Sequence, residues 1–484
     1  MKIKLKNSIS KTSDLLIVPV FKEDLKKTNI FPKVLANFLD KRQKNKDFTG
    51  SYLETLSTYD LDEMPRQVLF VGLGSKKDLN AKVAMNAFGK SGKFANAHKR
   101  ENIEVILTKE LEPILQEILE SISSSVYDLG KLKKKRKSHS SIKSLGIITN
   151  AKNLSESIKR AEIVSSASEL VKDLVNQPAN IITSTVLANT AKKVAKDNGY
   201  KVTILSDKEL KKGGWGGVLS VNQGSKNPAY CAIIEYNGGK KGDAPIVLIG
   251  KGMVFDAGGY SIKTRSMEVM QQDMAGAATV IGTMSAIKKL GVKKNVIGIT
   301  PIAENMINEN AYRPSDIITM LSGDTVEVTN TDAEGRLILA DAIHHSLKFK
   351  PKSIVTIATL TGAVGAALGP LYCGIMGNDD ATRDKIQKSG EETDDLAWPL
   401  PVPKEYCDKM KSRYADIKNH DLGSAMYAGT PKAAGFLQHF VGDNKWCHID
   451  IGGTAFTEDP KHYQTPGATA HGLRLLIKYV EKHA

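Results

Sequence analysis

Cysteine is scarce and unpaired in this sequence. Its four copies, Cys231, Cys373, Cys407 and Cys447, stand far apart with no CxxC among them. That spacing argues against a disulfide framework and against a zinc site built on paired thiolates. Long apolar runs are missing too: no uninterrupted stretch reaches the roughly 20 residues that a membrane-crossing helix needs. Residues 1–8, Met-Lys-Ile-Lys-Leu-Lys-Asn-Ser, lack the apolar core of a secretory signal. These absences together point to the cytoplasm and to no membrane partner. No His-Glu-x-x-His helix motif occurs. Neither a P-loop nor a dinucleotide fingerprint is complete: Gly72-Leu73-Gly74-Ser75-Lys76 follows a strand-like run without the spacing of either, so a strand-ending turn is expected there.

What is present is ordinary in bulk. With 484 residues, 41% of them hydrophobic and 25% charged, the chain has the composition of a globular protein long enough for more than one domain. The formal net charge of +15 favours acidic partners through long-range attraction but says nothing of the fold. Its one dense block, residues 131–137 (Lys-Leu-Lys-Lys-Lys-Arg-Lys), has no interleaved aromatics and no nucleic-acid fold signature beside it. A solvated basic loop is the favoured account, with nucleic-acid binding as the rival.

Short apolar runs at 15–20, 68–71, 103–107 and 145–148 alternate with polar, lysine-rich stretches such as 82–99. Alternation of this kind predicts an N-terminal α/β domain over residues 1–153, structural or regulatory because it offers no carboxylate or histidine constellation. Residues 154–176 switch to helical spacing, with Ala161, Val164, Ala167, Leu170, Val171 and Leu174 on one face, and predict a linker helix that Pro178 ends. A second, larger domain over 177–484 alternates again. Strands are expected at 202–205, 229–235, 246–249, 296–299 and 354–357, and helices at 180–198, 275–290, 337–347 and 433–441. The fold class is therefore α/β in two domains, each a sheet flanked by helices. In open sheets of this class, charged residues just past the carboxyl ends of strands mark sites.

Such residues cluster. Asn330-Thr331-Asp332-Ala333-Glu334-Gly335-Arg336-Leu337 places two carboxylates two apart, pointing the same way if the segment is extended, ahead of an arginine and a helical run. Past the strand at 246–249 come Lys251, Asp256 and Lys263, and ten residues further Asp273. Four carboxylates (Asp256, Asp273, Asp332, Glu334) thus stand with three cations (Lys251, Lys263, Arg336). Packed like charges cost energy unless something neutralises them. Two divalent cations would do so, and hard oxygen ligands with one possible lysine amine suit manganese, magnesium or zinc without choosing among them. The alternative is a buried salt-bridge network. Desolvation tends to cancel the Coulombic gain of such a network, so it is a poor way to gain stability.

The same residues carry a resemblance. Asn330 to Leu337 matches the signature of the leucyl aminopeptidase (M17, cytosol aminopeptidase) family. It is backed in order by Asn176-Gln177-Pro178-Ala179-Asn180, Gly250-Lys251-Gly252 with Phe255-Asp256, Ala303-Glu304-Asn305-Met306 with Ala311-Tyr312-Arg313-Pro314, Thr359-Leu360-Thr361-Gly362-Ala363, His448-Ile449-Asp450-Ile451 and Gly467-Ala468-Thr469. The resemblance implies a catalytic domain of metallo-exopeptidase type behind a macro-like N-terminal domain. The implied enzyme releases N-terminal, leucine-like residues from small peptides, as a homohexamer. It implies two divalent ions, Mn2+ or Zn2+, with Mg2+ or Co2+ as alternatives. One would be held by Lys251, Asp256, Asp273 and Glu334, the other by Asp256, Asp332 and Glu334. Lys263 would stabilise the oxyanion and bind substrate with Asp273 and Asp332. Arg336, with backbone near Leu360, would hold bicarbonate. Met270, Thr359, Gly362, Gly452 and Ala455 would line the pocket for the first side chain. Some bacterial members also bind DNA, which gives the basic block its rival role. Three positions depart from the family pattern without removing a ligand: the loop from Lys263 to Asp273 is one residue short, Ala257 replaces a common Ser, and Gly452 a common Ala.

Overall fold

The computed structural model describes all residues except 27–29, 135–141, 422 and 424–426. The chain divides into two compact units, residues 1–169 with 458–466, and residues 170–457 with 467–484. The helix Ser155–Asn176 spans the division in sequence.

The first unit is built on a six-stranded sheet in the order Lys2–Lys6, Ser144–Ile148, Asn102–Ile106, Leu15–Phe21, Gln67–Gly74, Thr55–Tyr59. Every pairing is parallel except that of the last edge strand. Every residue of Leu15–Phe21 is buried. Leu15, Ile17 and Phe21 enter one apolar core, and Leu16, Val18 and Val20 enter another. Successive side chains of a strand point to opposite faces, so this unbroken apolar run is the mark of a sheet covered on both sides. The edge strands Lys2–Lys6 and Thr55–Tyr59 bury little and carry no such run.

The turn after Gln67–Gly74 holds a carboxylate of the chain itself. Ser75 Oγ donates to Glu23 Oε1 at 2.5 Å, and the Lys76 N–H lies 3.2 Å from each Glu23 oxygen. The Ser75 hydroxyl keeps the Glu23 pKa below its ordinary value. Lys76 Nζ in turn pairs with Asp24 at 2.8 Å and Glu110 at 2.5 Å. In the basic block, Lys131 pairs with Glu169 at 3.0 Å and lies 5.1 Å from the centre of the Tyr127 ring. Lys135, Arg136 and Lys137 fall outside the described residues.

The second unit carries a nine-stranded sheet. Its main order is Ala397–Pro399, Cys373–Gly377, Trp446–Asp450, Ser353–Ala358, Ile246–Gly250, Asn295–Asn305, Tyr230–Asn237, Lys201–Ser206, and Gly252–Asp256 pairs with the end of Asn295–Asn305. The four central strands, from Trp446–Asp450 to Asn295–Asn305, run parallel, so their carboxyl ends share one edge. The helix Ala275–Ile287 packs against them and is buried almost all round, as expected of a helix apolar on every face. It sits so close that a Cβ on Gly276 would lie 2.2 Å from the Ile357 carbonyl. No helix among the described residues is long and apolar enough to cross a membrane.

Several histidines are packed into this unit, two of them instructive. His345 lies against Trp215 and Phe349. His448 is fully buried, with Nδ1 2.9 Å from Thr356 Oγ1. Burial holds the imidazole of His448 neutral, with its pKa near 3, and that of His345 near 4. Both are protonated in the unfolded chain below about pH 6.5. A depressed histidine therefore contributes stability that is fully present above 6.5 and is lost as pH falls towards the folded value. For His448 the slope is about 1.4 kcal/mol per pH unit. Urea unfolding followed by tryptophan fluorescence at pH 7, 6 and 5 checks this. His448→Gln should lower stability at pH 7 and flatten the acid slope by that amount, and identical slopes in the two proteins would refute it.

Candidate metal centre

The shared edge of the parallel strands delivers the site. Ile246–Gly250 ends at Lys251, Ser353–Ala358 at Thr359, Trp446–Asp450 at its own last residue, and Asn295–Asn305 at Asn305. Lys251 is buried. Its Nζ lies 2.9 Å from Asp273 Oδ1 and Oδ2, 2.8 Å from Glu334 Oε1 and 2.9 Å from the Thr359 carbonyl. Asp273 is the last residue but one of the 3-10 segment Met267–Met274, just before the buried helix, and its Oδ1 also accepts the Thr359 hydroxyl at 2.7 Å.

Asp256 ends the short strand Gly252–Asp256. Its Oδ1 accepts hydrogen bonds from Asn305 Nδ2 (2.7 Å) and the Gly258 N–H (2.9 Å), which leaves Oδ2 to Lys263 Nζ at 2.7 Å. Gly258 and Gly259 then take φ of +85° and +61°, the left-handed region that favours glycine, and turn the chain back so that the Lys263 N–H reaches the Ala257 carbonyl. Lys263 Nζ also lies 2.5 Å from Asp332 Oδ1.

Asp332 and Glu334 are not on an extended segment. Residues 330–334 form a turn that runs straight into the helix Gly335–Ser346, with Glu334 immediately before its first residue. The unpaired N–H groups there favour a negative charge. One oxygen each of Asp256, Asp332 and Glu334 lies within 4.8 Å of the others. Gly335 permits this: a Cβ there would stand 2.5 Å from Lys251 Cε and 2.7 Å from its Nζ. Arg336 is buried on the same helix. Its Nη1 donates to the Asn419 carbonyl at 2.8 Å, while Nε is buried without a hydrogen-bond partner among the described residues.

Of the residues expected to line a side-chain pocket, Thr359 touches Asp273, and Met270 is half-buried on the segment that carries Asp273. Gly362 and Gly452 are exposed and Ala455 is buried. The Gly452 N–H donates to Asp450 Oδ1 at 3.1 Å, and a Cβ there would lie 2.4 Å from the Thr361 carbonyl. The Leu360 N–H is engaged, donating to Asp450 Oδ1 at 3.1 Å.

The electrostatics are those of concentrated negative charge out of water. Burial, then the nearby Glu334 and Asp256, push the Asp273 carboxyl up against the opposing pull of Lys251. Burial and the same two carboxylates push Asp332 up likewise. Burial works against the ammonium of Lys251, yet Asp273, Glu334 and Asp256 outweigh it and hold its pKa above the ordinary lysine value. Lys263 behaves the same way. Burial brings the Arg336 guanidinium down to about 10 despite Glu334, Asp450 and Asp332.

This donor set fits divalent cations. Asp273 Oδ2, Asp332 Oδ1 and Glu334 Oε1 are buried oxygens that lie beside lysine ammoniums and accept no hydrogen bond among the described residues. Hard anionic oxygens converging in this way are what a hard or borderline cation takes.

Several residues that shape the site receive no role in the sequence analysis. Asn305 Nδ2 also reaches the Thr331 carbonyl (3.0 Å), as does Tyr312 Oη (2.7 Å). Asp450 grips the 360–361 turn and Gly452, and Asn419 grips the 329–333 turn. Asn305, Tyr312 and Asp450 fall in blocks shared with the family but are neutral or ordinary residues at no diagnostic spacing. Asn419 lies in none of those blocks.

Residues 169–477 match the family model described as the cytosol aminopeptidase family, catalytic domain, and residues 17–136 match that family's N-terminal domain. A probable cytosol aminopeptidase of Geobacter sp. (strain M21) is 36% identical over 490 residues, covering 98% of each chain. Another from Geobacter sulfurreducens is 46% identical over 311 residues, 64% of this chain and 62% of its own, and one from Cenarchaeum symbiosum is 44% identical over 318 residues, 65% of each. With both domain models matched in order and one relative aligned over 98% of each chain, the chain belongs to the cytosol aminopeptidase family.

Proposed function

We propose that this chain is a two-metal aminopeptidase that releases leucine-like N-terminal residues from short peptides. The observation that carries the reading is the convergence of Asp256, Asp273, Asp332 and Glu334 with Lys251, Lys263 and Arg336 at one sheet edge, in a chain of a peptidase family. Asp256, Asp332 and Glu334 would hold one divalent ion, and Lys251, Asp256, Asp273 and Glu334 the other, with Asp256 and Glu334 common to both. Bound there, such ions supply an activated water at neutral pH and polarise the scissile carbonyl.

The chain's own groups do the rest. Lys251 can ligate only as a free amine, and its carboxylate neighbours hold it protonated until a cation replaces the proton. Lys263, less buried than Lys251, keeps its ammonium and aims positive charge at the oxygen on which negative charge develops. Asp273 receives the substrate's free amino group, which restricts cleavage to the first residue. Arg336, with Nε buried and unpartnered among the described residues, would hold a small anion such as bicarbonate that moves a proton. Met270, Thr359, Gly362, Gly452 and Ala455 would form the apolar receptacle that favours leucine-like side chains. Four free cysteines suit a reducing compartment such as the cytoplasm.

Hydrolysis of a leucine chromophore should vanish on metal stripping and return with Mn2+, Zn2+, Co2+ or Mg2+, the size of each recovery identifying the preferred ion. Full activity in stripped protein would sink the reading. Lys263→Ala should lower kcat about 100- to 1,000-fold with Mn2+ binding retained. Asp332→Ala should lose both activity and one equivalent of bound metal, as counted by elemental analysis.

A further inference from the structure

Asn419 lies far along the chain from the groups it touches, 83 residues beyond Arg336 and 90 beyond Thr329, and is fully buried, directly after the short strand Ile417–Lys418. Its side-chain amide is spent on the turn that carries Asp332 and leads to Glu334. Oδ1 accepts the Thr329 N–H (2.8 Å), the Thr329 hydroxyl (3.2 Å) and the Asn330 N–H (3.3 Å), and Nδ2 donates to the carbonyls of Asn330 (2.6 Å) and Ala333 (3.3 Å). Its main-chain carbonyl accepts Arg336 Nη1 at 2.8 Å, and its own N–H is tied to the Glu327 carbonyl at 3.0 Å.

Only an amide can do this. The turn presents donors to one end of the side chain and acceptors to the other, so a carboxylate would set an oxygen against two carbonyls, and a hydrocarbon would leave buried backbone groups unpaired. The main-chain carbonyl of the same residue fixes the guanidinium relative to that turn. We propose that Asn419 is a positioning residue that holds the Asp332–Glu334 turn and the Arg336 guanidinium in one fixed frame, and so sets the affinity of the carboxylate cluster for metal. The inference rests on the two-metal reading and goes beyond it, because Asn419 itself offers no ligand and no proton.

The test is calorimetric titration of Mn2+ into the metal-free full-length protein, comparing wild type, Asn419→Ala, Asn419→Asp and Asp332→Ala. Outer partners that orient metal ligands typically account for 10- to 100-fold in affinity. Both Asn419 variants should weaken Mn2+ binding by about that factor. With saturating Mn2+, the KM for a leucine chromophore should stay within about twofold of wild type while kcat recovers in part. A merely structural role would lower the unfolding temperature and leave the affinity of the folded protein unchanged, and that result overturns the proposal. Should Asn419→Ala fail to fold, the isosteric Asn419→Asp carries the comparison. If wild type binds Mn2+ no better than Asp332→Ala, the two-metal reading itself fails and takes this inference with it. Tight binding by wild type, loss in Asp332→Ala and wild-type affinity in both Asn419 variants defeats this inference alone.

Discussion

The second unit is organised around one electrostatic constraint: four carboxylates and three cationic side chains withdrawn from water at the end of a parallel sheet. Charges so placed are stable only while every one is compensated, since taking away one partner leaves another buried and exposed to the full cost of desolvation. The sheet meets this demand by register. Parallel strands stop at a common edge, so Lys251, Asn305, Thr359 and Asp450 arrive there from chain positions up to 199 residues apart without any long excursion. The glycines follow from the same demand. Gly335 leaves the volume that the Lys251 side chain fills, and Gly276 lets the apolar helix behind Asp273 come up against the Ile357 carbonyl.

Around the charges stands a layer of neutral polar groups whose task is orientation. Asn305 takes one oxygen of Asp256 and leaves the other free for a cation, while Thr331 knits two loops together. Its hydroxyl donates to the Gly258 carbonyl and accepts the Ser261 N–H, and its own N–H donates to Ser261 Oγ. Asp450 is handled differently from Asp256, Asp273, Asp332 and Glu334. It sits among N–H and O–H donors from Leu360, Thr361 and Gly452, and its charge is spent on holding backbone. Two kinds of carboxylate thus lie in this unit, one held by backbone and hydroxyl donors and the other facing lysine ammoniums.

How much of this was legible beforehand depends on what kind of signal each part leaves. Strands buried on both faces, such as Leu15–Phe21 and Ile246–Gly250, announce themselves as apolar runs. Edge strands such as Lys2–Lys6 do not, because half their side chains face water. The charged residues of the site were readable because a carboxylate beside glycine past a strand end is costly and therefore informative. The geometry of the signature was not: Asp332 and Glu334 share the site by way of a turn into a helix, whereas the sequence suggested the alternation of a strand. Asn305 and Asn419 left no trace that residue type or spacing could reveal. An asparagine that hydrogen-bonds a distant backbone is defined entirely by the tertiary fold.

The turn at Ser75 and Lys76 has a consequence for the first unit. Backbone N–H groups and a hydroxyl at the end of a parallel strand make a natural cradle for an anion, and here the cradle is filled by Glu23 from the neighbouring strand end. A carboxylate tethered a few ångströms away acts as an intramolecular competitor at high effective concentration. A free phosphate or nucleotide would have to expel it and also face the acidic side chains of Asp24 and Glu110 that Lys76 already neutralises. The donors at this strand end are thus spent on a carboxylate of the chain itself.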